Sequence, residues 1–289
     1  MKLERRRGLS VEEFIGQYLI PNRPLIVIDA METWPAMNLW TPDYFDYYFG
    51  AEQVQVYDDL FTLMRITSLS QYLASYFGRW RSMQDECVPY VRWYTELKKT
   101  ASVPWADVVF ERLREDWTTP SFLPASGYLV PYYITSGPVG PHTHAFPGRG
   151  LFISGLGART RLHRDPWHSD AVLCQLYGEK KIVMYSQEQQ PMLCRGKDYI
   201  DISKPDLQTY PDFPRTSPTF EDVLVRGEVL FIPRGWLHHV ETTADSISLT
   251  WNFVHISTWD SFFHYLMAQP PEDELQTIKF FLRGHSTNS

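Results

Sequence analysis

Between about residues 127 and 257 the chain breaks into short apolar or alternating runs separated by Gly and Pro. The runs are Tyr128–Thr135, Leu151–Ser154, Thr160–His163, Ala171–Leu176, Lys181–Tyr185, Val223–Val225, Glu228–Ile232 and Ser246–Val254. Runs this short, closed by turn residues, leave no room for crossover helices between them. They point to an antiparallel sandwich or barrel and away from βαβ units. One interruption stands apart. Segment 186–222 is a long polar insertion with five prolines (Pro191, Pro205, Pro211, Pro214 and Pro218). A connection of that length usually serves function or covers something.

The flanks read differently. Residues 1–126 mix helix signals with short strands. Ser10-Val11-Glu12-Glu13 has the pattern of a capping box and opens a helix to about Tyr18, which Pro21 and Pro24 stop. Leu25–Ile28 is a compact strand. Thr41-Pro42-Asp43 opens a second helix with proline at its first position. Further helices are expected over 69–78 and 105–116. From Thr258 the texture is helical again, with Trp259, Phe262, Phe263 and Leu266 on one stripe and Leu275, Ile278, Phe281 and Leu282 on another. Such stripes pack on the sheet or join two copies into a homodimer. The expected division is therefore an N-terminal region 1–126 packed on the core, a core 127–257, and a helical tail 258–289.

Charge and cysteine usage narrow the class. With 34 acidic against 27 basic side chains the formal net charge is −7, which argues against nucleic acid as the main partner. The run Arg5-Arg6-Arg7 is too short to change that. No apolar run approaches the ~20 residues of a membrane span, and the N-terminus lacks a signal-peptide core. Cys87, Cys174 and Cys194 form no CxxC pair and no disulfide framework. The expected setting is a reducing compartment: the cytoplasm, or the nucleus in a eukaryote. The 10 Trp, 17 Tyr and 17 Phe imply something sizeable walled by rings.

His163-Arg164-Asp165 places an imidazole and a carboxylate at i and i+2 of an expected strand, so both face one side. A second histidine from a neighbouring strand would complete two histidines and a carboxylate around one side of a metal. That is the facial triad of non-haem Fe(II) oxygenases. The triplet alone is weak, because chance gives about one His-x-acid in a chain of this make-up. The chain holds three: His163/Asp165, His168/Asp170 and His239/Glu241. Context separates them. Phe231 to Glu241 reads as strand, Pro/Gly turn and a second strand carrying His238 and His239. Lys180, at the edge of the apolar strand Ile182–Tyr185, is a candidate anchor for a carboxylate.

These pieces together resemble the JmjC-type (cupin-like) 2-oxoglutarate oxygenases, in particular their hydroxylase branch. The N-terminal stretch Glu13-Phe14, Pro24 to Val27, Trp34-Pro35 and Trp40-Thr41 is similar to the start of that branch. Thr160 to Pro166 resembles its metal strand, Gly178-Glu179-Lys180 its cosubstrate strand, and Pro233 to Val240 its last metal strand. The resemblance implies a mainly β fold, a double-stranded β-helix (jelly-roll) core with an N-terminal α/β extension and C-terminal helices. It implies His163, Asp165 and His238 as Fe(II) ligands, the family's third ligand following a Trp-x pair. It implies Lys180 at the distal carboxylate of 2-oxoglutarate, with Thr160 and Thr250 as pocket hydroxyls and Asn252 beside them. Val172-Leu173 departs from the pattern, since some relatives place a polar cosubstrate contact there.

The implied activity is hydroxylation of an amino-acid side chain in a protein or peptide, with O2 consumed and succinate and CO2 formed. The other readings are a small-molecule or free amino-acid hydroxylase, a histone-type demethylase of the same chemistry, and a non-catalytic binding module. The intact ligand set argues against the last. The absence of a Cys/His cluster argues against a chromatin cassette. Elsewhere, His142 and His144 lie in a Pro/Gly turn without a carboxylate partner. His168 is expected to support the metal strand, Trp236 to aim His238, Cys174 to fill core, and Arg161 and Arg164 to face outward.

Overall fold

Two strands run the length of the molecule and organise everything else. The protein, described here by a computed structural model, is described over residues 1–78, 88–96, 104–131, 140–143 and 146–283. Cys87, His144, residues 132–135 of the expected strand and the Leu282 side chain lie outside the described residues. In chain order the strands are β1 (Arg5–Arg6), β2 (Leu25–Val27), β3 (Gln53–Tyr57), β4 (Leu63–Ser68), β5 (Tyr90–Tyr94), β6 (Tyr128–Val130) and β7 (Gly150–Ser154). They continue with β8 (Arg159–His163), β9 (Asp170–Tyr185), β10 (Cys194–Arg195), β11 (Asp198–Tyr199), β12 (Phe220–Val225), β13 (Val229–Ile232) and β14 (Leu237–His255). The helices are α1 (Val11–Phe14), α2 (Ala36–Leu39), α3 (Pro42–Phe49), α4 (Leu69–Tyr76), α5 (Asp107–Arg112), α6 (Gln190–Leu193), α7 (Trp259–Met267) and α8 (Glu272–Arg283).

The runs Ala171–Leu176 and Lys181–Tyr185 are one strand, β9, and Ser246–Val254 is the second half of the longer β14. These two pair antiparallel along their whole length, from Leu237 opposite Tyr185 to Phe253 opposite Asp170. Midway the register slips between Thr242 and Ile247. There Gly178 adopts φ +67°, and a Cβ on it would lie 1.9 Å from the Asp245 carbonyl oxygen. Only glycine permits so close an approach of two backbones at a corner. The bend divides one sheet into two leaves. The first leaf holds β12, the second half of β9, the first half of β14, and β8. The second holds β2, β13, the first half of β9, the second half of β14, and β7, and is extended by β5, β3 and β4. This is the expected jelly-roll arrangement.

Local signals formed as the chemistry predicts. Ser10 Oγ accepts from the Glu13 amide while the Glu13 carboxylate accepts from the Ser10 amide, the reciprocal capping box. Beyond Phe14 the helix widens into a π-helical turn, Ile15–Leu19. Thr41 caps α3 and Ser68 caps α4. The helix expected over 105–116 is only α5, because Leu113 and Trp117 are drawn into the core instead of continuing the turn. Segment 186–222 is shorter as a loop than expected, since Phe220 zips onto β9 opposite Met184.

Most rings serve the core. Trp34, Trp40, Phe45, Trp93, Trp117, Phe122 and Trp251 are buried together between the N-terminal helices and the second leaf. Among the described residues no helix is long and apolar enough to cross a membrane.

Candidate metal centre

β8 ends at His163. Asp165 follows with extended backbone, so the two-residue alternation carries past the end of the strand. The chain then turns sharply. Trp167 and His168 sit at φ 62° and 51°, the left-handed region, which costs of order 1–2 kcal/mol per residue for anything but glycine. The C-terminal helices hold that turn. The Trp167 amide donates to Glu274 of α8 (2.7 Å), and Tyr265 of α7 hydrogen-bonds the same carboxylate. His168 stacks on Tyr265, and its Nε2 lies 2.9 Å from Ser261 Oγ. His168 therefore supports the metal loop, as expected.

β14 delivers the third group. His238 is the register partner of His163, their ring centroids are 4.1 Å apart, and His238 Nε2 lies 3.9 Å from Asp165 Oδ2. The three donor atoms lie within 4.8 Å of one another. Each imidazole is oriented by its own strand. His163 Nδ1 meets the Arg161 carbonyl at 2.8 Å, and His238 Nδ1 meets the Trp236 carbonyl at 3.2 Å. With each Nδ1–H donated to a backbone carbonyl, Nε2 is left as the ligating atom of each ring, the tautomer a metal requires. Burial, and then the neighbouring His238, hold the His163 pKa well below the usual imidazole range, so it stays a neutral ligand. The donor set fits a divalent transition metal such as Fe(II). His239 alternates to the other face of β14 and takes no part.

The turn before His238 is fastened from several directions. The buried Arg234 donates to Asp170 through its backbone amide (2.9 Å) and its guanidinium (3.4 Å). It also donates to the carbonyls of Leu19 and Ile20 and to Ser261 Oγ. Trp236 donates its indole N–H to the Asn22 carbonyl (3.0 Å) and packs on Phe220, which fixes the approach to His238.

A cavity of about 880 Å³ opens between the two leaves beside these three residues. Thr160, Lys180 and Val240 line it from the first leaf, and Phe152, Leu173, Thr250 and Asn252 from the second. Lys180 is 4% exposed and makes no ion pair or hydrogen bond among the described residues. Its ammonium lies 5.8 Å from the Phe152 ring centroid, and desolvation pulls its pKa down to about 7. Thr250 lines the cavity, and its hydroxyl donates to the Val172 carbonyl (2.8 Å), which leaves its oxygen as an acceptor. Asn252 donates to Ser169 Oγ (3.2 Å). Leu173 lines the cavity while Val172 is turned into the core.

Two readings from sequence differ from the structure. Arg161 and Arg164 do not face outward; both border the cavity. Arg161 pairs with Asp201 of the insertion (3.6 Å), and Arg164 lies 4.0 Å from Glu274. Strand alternation points them off the ligand face, but the insertion and α8 fold over that side. Three further wall residues escaped notice: Phe61, Arg92 and Tyr94. The available signal was an arginine inside the aromatic strand Tyr90-Val91-Arg92-Trp93-Tyr94.

A cupin-like domain model matches residues 11–258. Among curated proteins, the chain is 24% identical over 268 residues to a chicken (Gallus gallus) protein named 2-oxoglutarate and iron-dependent oxygenase JMJD4, covering 88% of this chain and 60% of that one. It is 26% identical to Lysine-specific demethylase JMJ30 of Arabidopsis thaliana, covering 86% of this chain and 54% of that protein. It is 24% identical over 278 residues to human tRNA wybutosine-synthesizing protein 5, covering 90% of this chain and 81% of that one. The chain thus spans little more than half the length of the first two relatives.

Proposed function

Since this chain belongs to the cupin-like domain family, we propose that it is an Fe(II)- and 2-oxoglutarate-dependent oxygenase that hydroxylates an amino-acid side chain in a protein or peptide. The observation that carries this reading is the convergence of His163, Asp165 and His238 on one cavity that also holds the unpaired Lys180. His163 and His238 would hold Fe(II) through Nε2, and Asp165 through its carboxylate. When bound there, the metal supplies activation of O2 coupled to oxidative decarboxylation of 2-oxoglutarate to succinate and CO2.

The chain's own residues do the rest. Lys180 neutralises the distal carboxylate of 2-oxoglutarate as a point charge, in a setting too dry to offer it another partner. Thr160, Thr250 and Asn252 shape the cosubstrate pocket. Leu173, standing where some relatives have a polar group, keeps that wall apolar. Phe61, Phe152 and Tyr94 keep bulk water away from the reacting centre. The backbone carbonyls of Arg161 and Trp236 fix the ligand tautomers.

We further propose that residues 127–257 form the oxygenase core, with 1–126 packed on it and 258–289 as a helical tail. The pairing of β3, β4 and β5 onto the core sheet and the grip of α7 and α8 on the metal loop support an integrated unit. Exposed Trp259, Phe263 and Met267 on α7 support a homodimer through these helices. The net charge supports a protein or peptide substrate over nucleic acid, and the sparse cysteines support a cytoplasmic setting.

The test is direct. Purified protein with Fe(II), 2-oxoglutarate and O2 should form succinate, and His163→Ala should abolish it together with metal binding by calorimetry. Mass spectrometry of a peptide library should then show +16 products in the wild type only. Full succinate formation by His163→Ala, or no metal binding by the wild type, would sink this reading.

A further inference from the structure

Besides Lys180, the cavity wall holds a buried cation, Arg92, for which the reaction just proposed has no use. Arg92 lies on β5, whose register partner on β7 is Phe152, and so enters from the second leaf. Its guanidinium is boxed by four rings: Cζ is 4.5 Å from the Phe61 centroid, 5.3 Å from Tyr57 and Tyr94, and 5.7 Å from Phe152. Among the described residues it donates one hydrogen bond, from Nη2 to the Tyr94 hydroxyl (3.0 Å), and its buried Nε donates none. Among the described residues it has no carboxylate partner, whereas the other arginines of the cavity wall do: Arg161 has Asp201 and Arg164 has Glu274.

The place of Arg92 is informative. Phe61 bridges it to the metal site, its ring edge-on to His163 with centroids 4.8 Å apart. Lys180 is already the anchor for one dianionic cosubstrate. A cavity of about 880 Å³ holds more than a five-carbon diacid, so the remaining volume is the room for the prime substrate beside Phe61 and Tyr94. A guanidinium enclosed by rings keeps its planar fork, which suits a planar carboxylate. A polyanion fits less well. The chain is acidic as a whole, and a nucleic-acid binder usually carries a basic surface.

We infer that Arg92 is a specificity-determining residue that receives a carboxylate of the prime substrate, so that the preferred peptides carry Asp or Glu at, or next to, the side chain presented to the metal. This deepens the proposed function and rests on it.

The experiment is equilibrium binding, with Mn(II) and N-oxalylglycine in place of Fe(II) and 2-oxoglutarate so that nothing turns over. The probes are two random heptapeptide pools differing only at the centre, Asp/Glu against Asn/Gln, and a single-stranded RNA oligonucleotide. The loaded wild type should retain the acidic pool about tenfold or more tightly, the value of a charge-assisted hydrogen bond. Arg92→Gln should bind both pools alike, Arg92→Lys should keep part of the preference, and the apparent affinity of both variants for N-oxalylglycine should stay at the wild-type level. Equal or undetectable retention of the two pools by the wild type overturns the inference, and so does preference for the RNA. A weakened hold on N-oxalylglycine in Arg92→Gln also overturns it, by giving Arg92 to the cosubstrate. Should Arg92→Gln melt early, the wild-type pool preference and Arg92→Lys still decide. Failure to bind Mn(II) or N-oxalylglycine at all points instead to failure of the oxygenase reading.

Discussion

Lys180 shows how a single buried charge couples binding to pH. Desolvation lowers its pKa to about 7, against 10.5 for a solvated lysine. Between those values the unfolded chain binds more protons at this site than the folded one, so the stability of the ligand-free protein rises with pH from 7 towards 10.5 and is least below 7. Under the proposed function cosubstrate binding has the opposite sign, because the carboxylate would need the ammonium. The apparent affinity for 2-oxoglutarate should fall as pH climbs above 7, by up to about tenfold per unit. Calorimetric titrations from pH 6 to 9 would show this slope, and Lys180→Met should flatten it while raising the melting temperature of the ligand-free protein at pH 6. A flat wild-type profile would mean that the lysine keeps its proton throughout. The same scale shows what a sequence can reveal. His163, Asp165 and Lys180 were legible because strand alternation and neighbours within twenty positions define them. Arg92 was not, because its surroundings are made by the pairing of β5 with β7, sixty residues apart in the chain. No local pattern encodes that pairing.

At the level of elements, the two long strands place the site through their bend. Gly178 is the residue on which that bend depends, since its backbone conformation and its contact with Asp245 both exclude a side chain. Gly178→Ala should destabilise the fold by more than the ~1 kcal/mol of an ordinary glycine replacement, as it must also push β14 away. Chemical denaturation would measure it, and a loss under 1 kcal/mol would show that the corner can relax. The approach to His238 has its own fastening in Arg234. Asp170→Asn would leave that guanidinium buried without a counter-charge, a change worth roughly 3–5 kcal/mol where one partner of a buried pair is removed. Metal affinity should fall along with stability, since Arg234 ties the turn leading into His238 to β9, to the Leu19 and Ile20 carbonyls and to Ser261 of α7. Unchanged metal affinity in a folded Asp170→Asn protein would confine the pair to a structural part. Helix ends and loop length were the least legible elements. Leu113 and Trp117 end α5 by burying themselves in a core built from distant residues, and β12 begins at Phe220, ahead of the run Val223–Val225, because β9 offers it an edge.

For the whole molecule, many short apolar runs closed by turn residues were enough to read a sandwich or barrel, while the jelly-roll arrangement came from the family resemblance. The division into core and flanks was less so. The N-terminal third looks helical by pattern, yet its strands complete the second leaf, and the C-terminal helices brace a turn that holds two left-handed residues next to His163 and Asp165. The long insertion has a consequence for how the chain could be taken apart. Its residues Ser203 to Thr209 are exposed, while Leu193, Ile200 and Tyr210 anchor its two ends to the first leaf. A protease site engineered between Asp206 and Thr209 should therefore be cut without loss of activity or change in elution volume. The two pieces, one ending beyond β11 and the other beginning ahead of β12, should separate only in denaturant. Neither holds a leaf of its own, because every layer borrows a strand from the other piece. Expressed separately they should be unfolded, and mixed they should reconstitute each other, which makes this protein a candidate for a split reporter whose signal is metal uptake by the reassembled His163, Asp165 and His238.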